Sequence, residues 1–283
     1  MNFLDMPSNK SAYNQAKAVI LPVAYSGTSH SARSVDKGAE RILQASQLLS
    51  TYDVETNTDV SELSIHTLDP LTFPGSPLEA VEELFRQATP HFKKNKLVAS
   101  LGGSHLISLG LVRAALEQYD NLSVLHFGAH PHLVASGDNA VCDETNVMAL
   151  IREKCAVSHI GIRSMTKAER GKVHLDNLVF ARDIYNNGLN AAADAIDLLS
   201  EKVYIAIHLD ILDPACMPAV ARPEPGGLDW YTLNALIRMV SREKSIVGFD
   251  ITGYVPQQEG MHTQLLAAKL VYKTLICIMQ NNL

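Results

Sequence analysis

The chain has 283 residues, 47% of them hydrophobic and 19% charged, with a formal net charge of −6. That is the composition of a globular protein with a sizeable core, and it lacks the basic stripe that a nucleic-acid partner requires. No apolar run approaches the ~20 residues of a membrane span and no apolar stretch follows the N-terminus, so neither a membrane nor a secretory route is expected.

The first predicted strand is AVILPV (18–23). Further on, Ser76-Pro77-Leu78-Glu79 reads as a capping box with proline at the first helical position, opening PLEAVEELFRQAT. LVASL (97–101), LSVLHF (122–127) and VSHIGI (157–162) are the next strands, and Thr166-Lys167-Ala168-Glu169 is a second capping box. VYIAIHL (203–209) and SIVGF (245–249) flank a helix that begins at Trp230 and is capped by Asp229. The last segment, TQLLAAKLVYKTLICIM, has helical periodicity and is expected to pack on the sheet. Several of these strands are nearly continuous in Val, Ile and Leu, as strands buried on both faces are. The alternation predicts an α/β fold over 1–283, one domain with a mostly parallel central sheet between two helical layers. Cys142, Cys155, Cys216 and Cys277 lie far apart with no C-x-x-C pair, which reads as free thiols in a reducing cytoplasm.

Parallel sheets bind ligands beyond the carboxyl ends of their strands. GGSH (102–105), GAHPH (128–132), HLD (208–210) and DITGY (250–254) each sit at or just after such an end, so they are expected to converge on one cleft. In extended chain, residues two apart share a face, which lets His130 and His132 point together, and likewise His208 and Asp210. With His105 they make four imidazoles and one carboxylate, a donor set for Zn, Ni, Fe or Mn rather than for Ca or Mg. Any one of these histidines, taken alone, reads more simply as hydrogen-bonded structure. His126 lies within its strand and reads as a packed or surface histidine.

These clusters resemble the motifs of the ureohydrolase family, which includes arginase and agmatinase, with the bacterial agmatinase branch most similar. LGGSHLISLGLVRAALEQYDNLSVLHFGAHPHL is similar to the family's G-G-x-H-S motif followed by a helix, a strand and D-A-H-x-D. VSHIGIRSM resembles its G-I-R-S segment, HLDILDPACMPAVARPEPGGL its D-x-D-x-L-D-P…P-E-P-G-G, and GFDITGYVP its G-x-D-x-x-E-x-x-P. The resemblance covers nearly the whole chain. It implies an arginase-like fold, a homo-oligomer (trimer or hexamer), and the splitting of a guanidino group into urea and an amine by hydroxide bridging two Mn²⁺ ions.

Carried over one position at a time, the resemblance implies a metal site at His105, His130, His132, His208 and Asp210. His105 and His130 are histidines in the family as well. At 132 and 208 the family has aspartates, the one at 208 bridging both metals. The other bridging aspartate falls on Gly128, and the glutamate beside the guanidino group falls on Gly253. Glu144 falls near a histidine that binds substrate, and is the candidate substrate-binding residue here. The stretch YSGTSHSARSVDKGAERI (25–42) departs from the family's arginine-containing pattern, which implies a different cleft rim.

Two Mn²⁺ ions bring four positive charges, and of the four family carboxylates only Asp210 survives. Imidazoles are neutral when they ligate, so a Mn pair is not expected. One reading is then a protein with no metal, inactive as a guanidino hydrolase and retained in a binding or regulatory role, with a paralogous ureohydrolase as candidate partner. The other is a hydrolase of an amidine, guanidino or amide C–N bond using one transition metal (Zn, Ni, Fe or Mn). In that reading His105, His132 and His208 form a His₃ set with an open position, and His130 and Asp210 support it. Glu224, Asp213 and Asp250 read as structural, holding turns and loop amides.

Overall fold

Each of the Val/Ile/Leu runs becomes a strand in the computed structural model, which describes residues 1–7, 10–27, 35–73, 75–134, 142–256 and 261–281. The strands are β1 (Ala18–Ala24), β2 (Tyr52–Asp53), β3 (Thr58–Asp59), β4 (Ile65–Thr67), β5 (Leu71–Thr72), β6 (Leu97–Gly102), β7 (Leu122–Phe127), β8 (Ala156–Ile162), β9 (Leu178–Phe180), β10 (Lys202–His208) and β11 (Ser245–Thr252). Nine of them form one sheet in the order β4-β1-β6-β11-β10-β7-β8-β9, with β5 also pairing β1. Every pairing in that sheet is parallel. β2 and β3 make a separate antiparallel ribbon.

The helices are α1 (Gly38–Ser46), α2 (Pro77–Lys93), α3 (Ile107–Leu116), α4 (Val147–Arg152), α5 (Lys167–Arg170), α6 (Ala181–Asn187), α7 (Ala193–Asp197), α8 (Trp230–Glu243) and α9 (Met261–Asn281). Successive strand residues point to opposite faces, so β1 sends Val19 and Leu21 to one core and Ala18 and Ile20 to the other. The first core packs them against Val81 and Leu84 of α2, Leu111 of α3 and Met148 of α4. The second packs Ile20, Ile207 and Phe249 against Ile42 of α1, Leu236 of α8 and Val271 of α9. The result is the three-layer α/β/α fold that the alternation predicts. Burial on both faces is why the strands lack a polar stripe.

Both capping boxes form, at Ser76–Glu79 and Thr166–Glu169, and the Asp229 carboxylate accepts from the Thr232 amide at 2.9 Å. β2–β5 and β9 are not among the predicted strands, since they are two or three residues long and carry no periodicity of their own. β11 also runs three residues past its predicted end, because Asp250 is buried inside the strand rather than in the loop beyond it. The four cysteines are free thiols. Among the described residues, no helix is long and apolar enough to cross a membrane.

β6, β11, β10 and β7 are consecutive neighbours in the middle of the sheet. Their carboxyl ends therefore deliver Gly103–His105, Thr252–Gly253, His208–Asp210 and Gly128–His132 to one edge, as expected.

Candidate metal centre

His105, His126 and His132 form the centre of this edge. Each is buried and offers one ring nitrogen, and these nitrogens all lie within 4.8 Å of one another. In each of the three rings Nε2 is buried without a hydrogen-bond partner. A buried orphan nitrogen costs on the order of 1–3 kcal/mol, so three facing one another are a costly arrangement unless something occupies the space between them.

The opposite side of each ring is held by the protein. His132 Nδ1 donates to the Glu144 carbonyl at 2.7 Å, which leaves its Nε2 with a lone pair. His105 Nδ1 sits 3.1 Å from the Ser108 hydroxyl and 3.2 Å from that of Thr252. His126 and His159 are register partners on β7 and β8, and their Nδ1 atoms are 3.1 Å apart. Burial holds all four imidazoles in the neutral form a metal needs, with His132 and His159 pushed down to about 3 and His105 and His126 well below the usual value.

His132 is one of the few non-glycine residues with positive φ, at +52°. The chain is therefore not extended through 130–132, and the two histidines do not share a face as the spacing suggested. Their ring centroids are 6.0 Å apart, and His130 turns to Asp210 instead. The strained backbone is clamped by its neighbour: the Leu133 amide donates to Glu169 Oε1 at 3.1 Å and the Leu133 carbonyl accepts from Lys172 Nζ at 3.1 Å.

Asp210 is buried and serves two imidazoles at once. His130 Nδ1 lies 2.8 Å from Oδ2, and His208 Nδ1 lies 2.8 Å from Oδ1, which also accepts from the Ala129 amide at 2.9 Å. Although its burial works the other way, the adjoining His208 and His130 hold the Asp210 carboxyl well below the usual range. Both Nδ1 atoms accordingly donate, and the 3.4 Å approach of the Asp210 amide to His208 Nδ1 is the weaker contact and yields. The Asp210 charge raises the His208 pKa against its burial. The His208 ring lies beside those of His105 and His132, at centroid distances of 5.2 and 5.6 Å.

Two glycines make room for this arrangement. A Cβ on Gly128 would stand 2.6 Å from His126 Nε2, and a Cβ on Gly253, where φ is +82°, would stand 2.6 Å from His208 Cε1 and Nε2. Imidazoles thus fill the space of the two carboxylates that the resemblance places at 128 and 253. A Mn pair does not fit these residues: among the described residues no carboxylate stands at 128, 208 or 253 to bridge two ions, and Asp210 is already bonded within the protein. The cluster suits a single transition metal.

The reading of His126 as a packed histidine holds for its burial but misses its direction. Alternation along β7 puts His126 on the same face as Gly128, and a glycine two residues on is the signal that its ring has room to reach His105 and His132. Glu144 is half-buried, with its side chain over Gly27 and Ser104, and its charge acts on His208. Arg163 of the G-I-R-S segment donates to the carbonyls of Asp210 at 2.6 Å and Glu224 at 2.8 Å, and Asp213 accepts from the amides of Gly226 and Gly227. Asp250 accepts from Tyr204 at 2.9 Å, and burial pushes its pKa up to about 7. Residues 28–34, within the stretch read as a divergent rim, lie outside the described residues.

Comparison with known proteins agrees with this architecture. Residues 16–277 match the family model described as "Arginase family". The chain is 32% identical to an N(1)-aminopropylagmatine ureohydrolase of Thermus thermophilus over 267 residues, 92% of this chain and 89% of that protein. It is 28% identical to an agmatinase of Pyrococcus horikoshii over 266 residues, 91% and 90% of the two chains. Among solved structures, the agmatine ureohydrolase of Thermoplasma volcanium superposes with a TM-score of 0.87 at 24% identity, covering 98% of this chain and 94% of that one. The proclavaminate amidino hydrolase of Streptomyces clavuligerus gives 0.85 at 22%, covering 99% and 97%. The likeness to these structures is one of fold.

Proposed function

Because the chain belongs to the arginase family, we propose that it is a hydrolase of C–N bonds built around one transition metal held by histidines. The observation that carries this reading is a cluster of three buried histidines, His105, His126 and His132, each with a ring nitrogen within 4.8 Å of the others and each with an unpartnered Nε2. A site in simple decay has no reason to leave three clustered, buried Nε2 atoms unpartnered while every Nδ1 among them has a partner. We therefore prefer this reading to a metal-free protein kept for binding or regulation.

The proposed ligands are His105, His126 and His132. Three neutral imidazoles with an open position suit Zn, Ni or Fe ahead of Mn. A metal bound there supplies Lewis acidity toward a substrate oxygen or nitrogen and an acidified water. His208, placed among the ligands from the sequence alone, is proposed instead as a partner of Asp210. With Nδ1 of His208 and His130 donating to that carboxylate, Nε2 of each is the atom left to take up or return a proton at the cleft. Asp210 holds the two rings in that orientation. The relatives named above act, by their names, on agmatine and N(1)-aminopropylagmatine; a C–N bond in a compound bearing an amine is the corresponding expectation here. The trimer or hexamer expected from the family, in the cytoplasm, is part of the same proposal and is read from the mass of the native particle.

The test is metal content per chain, by elemental analysis, on protein purified without chelator and then offered Mn, Zn, Ni and Fe in turn. The expected value is close to one, falling in His126→Ala and His132→Ala. A value near zero refutes the proposal and returns the protein to a binding role. A value near two refutes the single-metal site.

A further inference from the structure

We infer that the edge of the sheet opposite the histidines holds a binding site for a small organic phosphate, formed by Lys17, Lys94, Lys96 and Lys202.

Parallel strands that gather histidines at their carboxyl ends gather these lysines at their amino ends. β1, β6, β11 and β10 are neighbours in that order. Lys17 stands one residue before β1, Lys96 stands one before β6, Ser245 opens β11 and Lys202 opens β10. The backbone ties these starts together: the Leu97 amide donates to the Lys17 carbonyl at 2.9 Å, and Lys202 and Ser245 are register partners. Lys94 joins them from the end of α2. The four lysines line a cavity of about 470 Å³, within the range of small-molecule sites. β10 runs from Lys202 to His208, a span of about 20 Å, so the cavity is separate from the metal centre.

In a chain of net charge −6, four cations around one cavity are not a by-product of composition. Among the described residues no Asp or Glu lines the cavity. Asp120 and Glu201 are sequence neighbours of lining residues, yet no ion pair joins an acid to any of the four lysines. Lys94 also complements the C-terminus of α2. The other three stand at strand starts, where their own elements have no comparable dipole to offset.

Lys96 is the most constrained of the four. It is 8% exposed, and its Nζ donates to the carbonyls of Tyr13 at 2.9 Å and Ala16 at 2.5 Å. That leaves a third N–H and a charge that no carboxylate balances, and a sequestered ammonium costs free energy until an anion joins it. Lys202 Nζ donates to the Ser245 hydroxyl at 2.9 Å and keeps two further N–H groups. With burial as the larger cause, the charges of Lys94 and Lys96 push the pKa of His91 down to about 4.

The donor set selects phosphate. Ammonium groups are compact point charges that can converge on a tetrahedral dianion from several directions, whereas a planar carboxylate is matched by the arginine fork. No Arg lines this cavity. Tyr119, Ile246 and Met279 complete its wall with apolar surface for the organic part of the ligand.

The experiment is isothermal titration calorimetry on the full-length protein in about 0.1 M NaCl, with AMP, inorganic phosphate, adenosine and citrate as probes. The expected result is one AMP per chain with a Kd below ~1 mM, weaker binding of inorganic phosphate, and none of adenosine or citrate. Lys94→Met and Lys202→Met each raise the AMP Kd on the order of tenfold, the loss of one charge-assisted hydrogen bond. Lys167→Met, on α5, leaves it unchanged. No saturable AMP binding, a Kd unaltered in Lys94→Met and Lys202→Met, or an equal loss in Lys167→Met overturns the site. Inorganic phosphate or adenosine binding as tightly as AMP overturns the organic phosphate as its ligand, and so does citrate binding as tightly.

Discussion

Restoring an aspartate at Gly128 tests the site at its tightest point. The first side-chain atom would stand 2.6 Å from His126 Nε2 and 2.7 Å from Cε1, well inside van der Waals contact. The ring has little room to retreat. It is fully buried, its Nδ1 meets His159 at 3.1 Å, and it stacks on His105 at a centroid distance of 5.2 Å. Overpacking of this kind costs about 1–3 kcal/mol, a fall in Tm of a few degrees for a chain of this size. Displacing one of three imidazoles should also weaken metal binding by at least the ~10–100-fold seen when a ligand merely loses its support. Gly128→Asp is therefore expected to lower both Tm and metal content, and His126→Ala made together with it should recover Tm by removing the clash. The assays are thermal unfolding by circular dichroism and metal per chain after dialysis. A Gly128→Asp protein that keeps its first metal and gains a second would refute the reasoning.

Two further outcomes follow from the buried histidines. His159→Phe keeps the bulk beside His126 but removes the nitrogen that orients it, so metal affinity should fall ~10–100-fold in competition with a chromogenic chelator while far-UV circular dichroism is unchanged; an unaltered affinity would show that His159 only packs. Acid should destabilise the metal-free protein. His132 and His159 titrate at about 3 when folded against ~6.5 unfolded, so the unfolded chain binds more protons in between and stability is lost as pH falls through that window. At pH 5 this amounts to about 2 kcal/mol for each. His208 and Asp250, whose pKa values are raised, work in the opposite sense, adding stability that fades as pH rises. Urea midpoints at pH 7 and pH 5 with chelator present measure the balance, and equal midpoints would refute it.

Most of the fold was legible because the long parallel strands and their helices carry it. Runs such as VYIAIHL have no alternative to burial on both faces, and the caps at Ser76, Thr166 and Asp229 mark helix starts by local chemistry. The short strands β2–β5 and β9 were not legible, since each is held by its neighbours rather than by its own pattern. At the site, the residues that end strands could be placed from the rule for parallel sheets, which is how His105, His130, His208 and Asp210 came to be expected together. His126 could not be placed by motif, because its role depends on the absence of a side chain at Gly128. The direction of His132 was hidden for a different reason: its left-handed backbone is imposed by contacts from a segment more than thirty residues away.

Those contacts bear on how fast a metal could leave. Glu169 uses one oxygen to close the α5 cap on Thr166 and the other to hold the Leu133 amide, and α5 is a single turn of four residues. Fraying of that turn releases the backbone beside His132 without disturbing the sheet, so opening and rupture of the centre become one event. The residence time of an ion bound at His132 would then follow the lifetime of that four-residue turn rather than the lifetime of the strands that carry His105 and His126.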